Sequence, residues 1–211
     1  MVSVSDPDYR LCAITAKIPH LGRSHEDIAG AAIRGGATMI QFRDKHMNDD
    51  VFEDEAKKIG GLAREHGVLF IVNDRVDIAG RCGADGVHIG QDDMDIESAR
   101  LILGLEAIIG VSVSQATEAL TAEAAGANYL GVGPIYETGS KCDAKEPIGL
   151  DALTVICQSV IIPVIAIGGI TQGNATEIIA TGAAGIAVIA AIAEAPNMTL
   201  AADKLRGCVK R

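Results

Sequence analysis

Eight short apolar runs, separated mostly by stretches of helical character, constrain this chain more than any other feature. They are Leu11–Thr15, Met39–Arg43, Leu69–Asp74, Gly86–Ile89, Ile108–Val113, Tyr129–Ile135, Val164–Ile170 and Gly185–Ala191. Most are rich in Val and Ile, which suit strands, and nearly continuous apolar character marks strands buried on both faces. Between them, Ser24–Gly35 opens on a serine and closes on Gly-Gly, Asp49–His66 closes on Gly67, Ser114–Ala125 closes on Gly126, and Gly173–Thr181 closes on Gly182. These are helix start and stop signals in the right order. Asp95 reads as a simple N-cap of Ile96–Leu103. Strand and helix alternating eight times is the sequence form of a single (β/α)8 TIM barrel spanning residues 1–211. An open doubly wound sheet is the competing architecture. Eight strands in 211 residues favour the closed form, and no Gly-x-Gly-x-x-Gly follows the first strand, against a dinucleotide site.

The composition narrows the partners. Hydrophobic residues make up 48% of the chain but aromatics only 3%, so small and branched aliphatics must fill the core. A net charge of −10 argues against nucleic acid as a partner. It leaves a phosphate ligand open, because a few cations in a concavity outweigh a diffuse negative surface locally. No apolar run approaches the roughly 20 residues of a membrane span, and Met1 to Arg10 lacks a signal-peptide core. Five scattered cysteines without a Cys-x-x-Cys point to reduced thiols and a cytoplasmic setting. Cys142 has only its neighbour Lys141 to suggest reactivity. Whether the chain forms a homo-oligomer is left open.

In a barrel of this kind, active sites lie at the C-terminal ends of the strands, and unusual polar residues collect there. Gln41, Arg43 and Lys45 alternate along the end of the second run and share a face if the strand reaches that far. Two like charges looking into a barrel call for an anion, such as a diphosphate; the bland alternative is a solvated loop. Asn73-Asp74 ends the third run, and Asp92 and Asp93 follow the fourth. Two carboxylates beside cations suit Mg2+ bridging to a diphosphate, or they are helix caps and ion-paired loop residues. Spacing does not choose between Asp92 and Asp93. Ser112 ends the fifth run, and Thr138, Ser140 and Lys141 follow the sixth. Lys141 is placed to serve either of two anions. Gly168-Gly169 and the end of the eighth run fall where backbone N–H groups bind a phosphate monoester, although close packing explains a Gly-Gly pair equally well. His88 reads as a core histidine or an acid–base group. His20, His25, His46 and His66 fall in loops or helix ends and need no special account.

The combination Gln41-Phe-Arg-Asp-Lys45, Val72-Asn-Asp74, Gly86-Val-His-Ile-Gly-Gln-Asp-Asp93, Gly110-Val-Ser112, Gly131-Val-Gly-Pro-Ile-Tyr-Glu-Thr138, Ser140-Lys141 and Ile167-Gly-Gly-Ile170 resembles the thiamine phosphate synthase family over nearly the whole chain. The resemblance implies a (β/α)8 enzyme that joins hydroxymethylpyrimidine diphosphate to a thiazole phosphate, giving thiamine phosphate and diphosphate. It implies that Gln41, Arg43, Lys45, Asn73 and Lys141 hold the diphosphate and that Asp74 and Asp93 hold Mg2+. Ser112 would lie by the pyrimidine and diphosphate. Thr138, Ser140 and the backbone at Gly169, Ile189 and Ala190 would take the thiazole phosphate. Arg43, Lys45, Ser112 and Lys141 are then the expected catalytic residues. The chemistry agrees. Loss of diphosphate leaves a cationic methylene on an electron-rich aminopyrimidine, so leaving-group stabilisation and positioning matter more than a strong base. Three positions depart from the family. Ala190 stands where Ser is frequent, Ala16 where an acidic residue commonly follows the Thr, and Ser114 where His is frequent. A thiazole tautomerase on the same fold is the nearest rival reading; that branch uses a histidine after the fifth strand and needs no diphosphate clamp. A non-catalytic binder of thiamine intermediates is the second, and the intact set of charged residues argues against it.

Overall fold

The computed structural model describes residues 7–139 and 146–209. Its eight parallel strands are β1 Leu11–Ile14, β2 Met39–Phe42, β3 Leu69–Asn73, β4 Gly86–Ile89, β5 Ile108–Val113, β6 Tyr129–Val132, β7 Val164–Ile167 and β8 Gly185–Val188. Each pairs with the next, and β8 returns to β1, closing the barrel. The helices outside it are α1 His25–Arg34, α2 Asp49–Glu65, α3 Val76–Cys82, α4 Ile96–Leu103, α5 Ala116–Ala124, α6 Gly149–Ser159, α7 Ala175–Ala180, α8 Ala190–Ala193 and α9 Met198–Cys208. None of these is long and apolar enough to cross a membrane.

Local chemistry sets the helix starts. Ser24 accepts from the Asp27 amide while Asp27 accepts from the Ser24 amide, a reciprocal cap on α1. Asn48 caps α2, and Asp95 caps α4 as its position predicts. Alternation along the strands sorts the core. Leu11, Ile40, Phe42, Val72, Val87, Leu130 and Ile186 pack outward against the helices. Cys12, Ile14, Met39, Ile71, Tyr129, Ile165 and Ala187 form a second apolar cluster inside the barrel. Two glycines make room there. A Cβ on Gly110 would stand 2.0 Å from Tyr129 Cζ, and one on Gly131 would stand 2.8 Å from His88 Cε1.

Several strands stop short of their apolar runs. β2 ends at Phe42, not Arg43, and β3 at Asn73, not Asp74. Asp74 has φ of 62°, a left-handed conformation that no strand continues through. β6 ends at Val132, ahead of Pro134, which has no N–H for the ladder. β7 ends before Gly168, whose φ is 103°. β8 ends at Val188, and Ala190 begins the short α8. Hydrophobicity marked these boundaries late because the loop residues that follow are themselves partly buried against the barrel rim. The helices are also trimmed: α5 begins at Ala116, because Ser114 stays outside, its N–H and hydroxyl both donating to Glu118.

Candidate active site at the strand ends

The strands open at their C-terminal end into a cavity of about 610 Å³. Asn73 lines it from the end of β3, and Arg43, Lys45, Asp74 and Asp93 from the loops after β2, β3 and β4. Ser112 lines it from β5, Thr138 from the loop after β6, and Gly169, Ile189 and Ala190 from the loops after β7 and β8. Gln41 is not among the residues that line it, being buried on β2 at only 4% exposed. Ser140 and Lys141 lie outside the described residues, as does Cys142. The other four cysteines are free thiols.

The left-handed turn at Asp74 swings its carboxyl into hydrogen-bonding contact with that of Asp93. Burial first, and then the neighbouring charge of Asp93, push the Asp74 carboxyl up to about 6, against the opposing pull of Lys45 and Arg43. Asp93 is itself steered by the Gly90 amide, which donates to its Oδ2 at 2.7 Å. Two crowded carboxylates next to two cations fit a small hard cation that keeps water and substrate oxygens for its remaining positions.

Supporting contacts hold this rim. Arg75 donates to Asp49 Oδ1 at 2.6 Å, to the Met47 carbonyl at 2.6 Å and to the Asp44 carbonyl at 3.2 Å, and stacks over Phe52 at 4.3 Å. It thus ties the loop carrying Lys45 to the turn carrying Asp74. His25, which its place at a helix end made unremarkable, is in fact buried, with Nδ1 at 2.9 Å from Thr15 Oγ1 and Nε2 at 3.2 Å from Asp44 Oδ2. Burial holds its pKa below the ordinary value, partly offset by Asp44. A helix N-terminus faces the barrel rim here, which periodicity alone does not reveal. Partners of Arg75 lie about thirty residues upstream in sequence, so no local signal marked it either.

The opposite wall, after β7 and β8, carries no charged side chain among the described residues, although Glu137 lines the cavity from the loop after β6. Asn174 Nδ2 donates to the Gly169 carbonyl at 3.0 Å, fixing the peptide after β7. Gly169 has φ of 64°, and a Cβ there would stand 2.6 Å from both the Glu137 carbonyl and Tyr136 Cβ. Glycine is therefore required for the β7 loop to pack on the β6 loop, and a bulky side chain at 169 reports on packing as well as on any ligand. Below the cavity, His88 is 8% exposed, with Nδ1 at 3.0 Å from Tyr129 Oη and Nε2 at 2.8 Å from Ser112 Oγ. Gln91 Nε2 donates to the Ser112 carbonyl at 2.7 Å. Tyr129 had an inward register legible from alternation, but nothing in sequence paired it with His88.

The chain is similar to known proteins over most of its length. The family model described as thiamine monophosphate synthase matches residues 11–192. A thiamine-phosphate synthase of Chloroflexus aurantiacus is 49% identical over 96% of this chain and 93% of its own length. One from Methanoregula boonei is 48% identical over 88% of this chain and 86% of its own. The structure of thiamine phosphate pyrophosphorylase from Pyrococcus furiosus superimposes with a TM-score of 0.88 at 41% identity, covering 96% of both chains.

Proposed function

Because the chain belongs to the thiamine-phosphate synthase family, we propose that this cavity is where it condenses hydroxymethylpyrimidine diphosphate with hydroxyethylthiazole phosphate. The products are thiamine phosphate and diphosphate; the enzyme is a transferase of thiamine biosynthesis. One observation supports the assignment of the site: the cations and carboxylates at the ends of β2–β4 face, across one cavity, the uncharged side chains and glycines that follow β7 and β8.

The charged wall takes the diphosphate. Arg43 and Lys45 neutralise its oxygens, and Asn73 adds an amide. Asp74 and Asp93 hold Mg2+, which when bound adds positive charge to the leaving diphosphate. Burial and then the nearby Asp93 charge raise the Asp74 pKa, and a bound cation would offset both, which supports this role. Ser112, on β5 between the two walls in strand order, meets the pyrimidine and the diphosphate. The opposite side takes the thiazole phosphate, through Thr138 and the backbone N–H groups at Gly169, Ile189 and Ala190; the family resemblance adds Ser140 to the thiazole phosphate and Lys141 to the diphosphate. The C–O bond to diphosphate then breaks to leave a pyrimidine cation, and the thiazole nitrogen attacks it. The chain's residues contribute charge and orientation; no side-chain nucleophile is needed. The barrel acts as one catalytic domain, and the free thiols fit a reducing, cytoplasmic setting.

The experiment is direct. Purified protein with Mg2+ and both substrates should release diphosphate and form thiamine phosphate. A strong chelator should stop the reaction and added Mg2+ restore it. Product formation unaffected by the chelator would remove Mg2+ from the scheme, and absence of product with both substrates and Mg2+ would overturn the reading.

A further inference from the structure

Beneath the cavity floor runs a hydrogen-bonded chain that the reaction as described does not use: Tyr129 of β6, His88 of β4 and Ser112 of β5. Only its last member lines the cavity. Its geometry is built by the two glycines opposite, since Gly110 leaves space for the Tyr129 ring and Gly131 for the imidazole. We propose that Tyr129 is a positioning residue that locks His88 in its Nε2–H form and thereby presents Ser112 to the pyrimidine diphosphate as a hydrogen-bond donor. The substrate half of this statement rests on the assignment of Ser112 to the pyrimidine side given above.

The argument is one of counting protons. In its neutral form, the form proposed for His88, an imidazole offers one acceptor nitrogen and one N–H. Two hydroxyls reach the His88 ring, Tyr129 Oη at Nδ1 and Ser112 Oγ at Nε2. Only one of them can donate to it. A phenol is a more acidic, stronger donor than an aliphatic alcohol and takes the acceptor position. Burial keeps Tyr129 protonated, so its single hydrogen is always present. Nε2–H then donates to Ser112 Oγ, occupying an oxygen lone pair. The serine hydrogen is left for the cavity, where it meets an acceptor: a pyrimidine ring nitrogen or a diphosphate oxygen. The reverse polarity would leave Ser112 accepting from the ligand, and nothing at the far end of the chain enforces it.

The test reads the tautomer and the kinetics separately. In protein carrying ring-15N histidine, with His88→Gln used to assign the signal, His88 should show an unprotonated Nδ1 and a protonated Nε2. In Tyr129→Phe that single form should give way to a mixture or to Nδ1–H. The same substitution should raise KM for the pyrimidine diphosphate roughly three- to tenfold, as loss of one net hydrogen bond does. KM for the thiazole phosphate should stay within about twofold, and the Tyr129→Phe effect should vanish in a Ser112→Ala background, which a general packing defect would not do. Wild-type protein with Nδ1–H, or a Tyr129→Phe penalty undiminished in Ser112→Ala, overturns the proposal. Should Tyr129→Phe fail to fold, the wild-type spectrum still decides the tautomer. An Nε2–H signal combined with a loss confined to the thiazole phosphate would refute the ligand assignment while leaving the proton order intact.

Discussion

Replacing Asp74 with Asn should make the protein more stable and less able to hold magnesium at once. Asn is the right probe because residue 74 sits at φ of 62°; Asn tolerates the left-handed region, whereas Ala would add roughly 1–2 kcal/mol of backbone strain. The Asp74 carboxyl rises from 3.8 to about 6, through burial and then the Asp93 charge. Because the folded value lies above the unfolded one, the folded state prefers the protonated acid. Ionising it costs stability, and that cost is nearly absent at about pH 4, grows through about pH 6 and is complete above it. The shift corresponds to about 3 kcal/mol at about 1.4 kcal/mol per unit. Since Asp74 is only partly buried, solvent screening reduces this to about 1–2 kcal/mol. For a chain of this size that is a Tm increase of about 2–8 °C. Thermal unfolding without metal at about pH 7.5 should show Asp74→Asn melting higher than wild type, with the gap falling to about half at about pH 5. Mg2+ with diphosphate should raise Tm for wild type and leave the variant almost unmoved. A variant that melts lower than wild type by the same margin at both pH values would refute the repulsion argument. One that keeps the full Mg2+ response would refute the metal assignment.

The remaining predictions probe the rim and the barrel interior. Arg43→Ala should raise KM for the pyrimidine diphosphate or slow its cleavage by at least about tenfold, since a charge-assisted bond is worth roughly 1.5–3 kcal/mol, with little change in thiazole-phosphate KM; steady-state kinetics with each substrate varied will tell. Arg75→Ala should loosen the loop that carries Lys45, costing about 2–3 kcal/mol in denaturant unfolding and raising pyrimidine-diphosphate KM as well; unchanged stability would count against the tie between the two loops. Ala190→Ser should improve thiazole-phosphate binding by about 0.5–1.5 kcal/mol, or up to about 3 if the phosphate accepts fully; unaltered KM for that substrate would place residue 190 away from the anion. Gly110→Ala should destabilise the protein by several kcal/mol, on the order of 3, because its Cβ would stand 2.0 Å from Tyr129 Cζ and the barrel interior has no slack; a chemical denaturation curve like that of wild type would contradict the packing described.

Sequence by itself determined the barrel and the identity of most groups around its mouth. Periodicity encodes burial directly, so eight Val- and Ile-rich runs and their capped helices were legible without coordinates, as were the polar residues that follow each run. Arg43, Asp74, the Asp92-Asp93 pair and Ser112 stood out because polar chemistry at strand ends contradicts the core pattern around it. The exact strand ends were not legible, because the rim residues that leave the ladder at Asp74, Pro134 and Gly168 remain half-buried and look apolar in context. Contacts between distant segments were hidden for a different reason. His25 reaches Asp44, Arg75 reaches Met47, and His88 joins Tyr129 to Ser112 only once the barrel has closed. Nor does sequence show that Gln41 is buried outside the cavity lining while Arg43, two residues later, belongs to it. Side-chain identity and alternation are local properties. Distance between strands that are neighbours only in space is decided by closure of the sheet, and that is where the proton order under Ser112 is set.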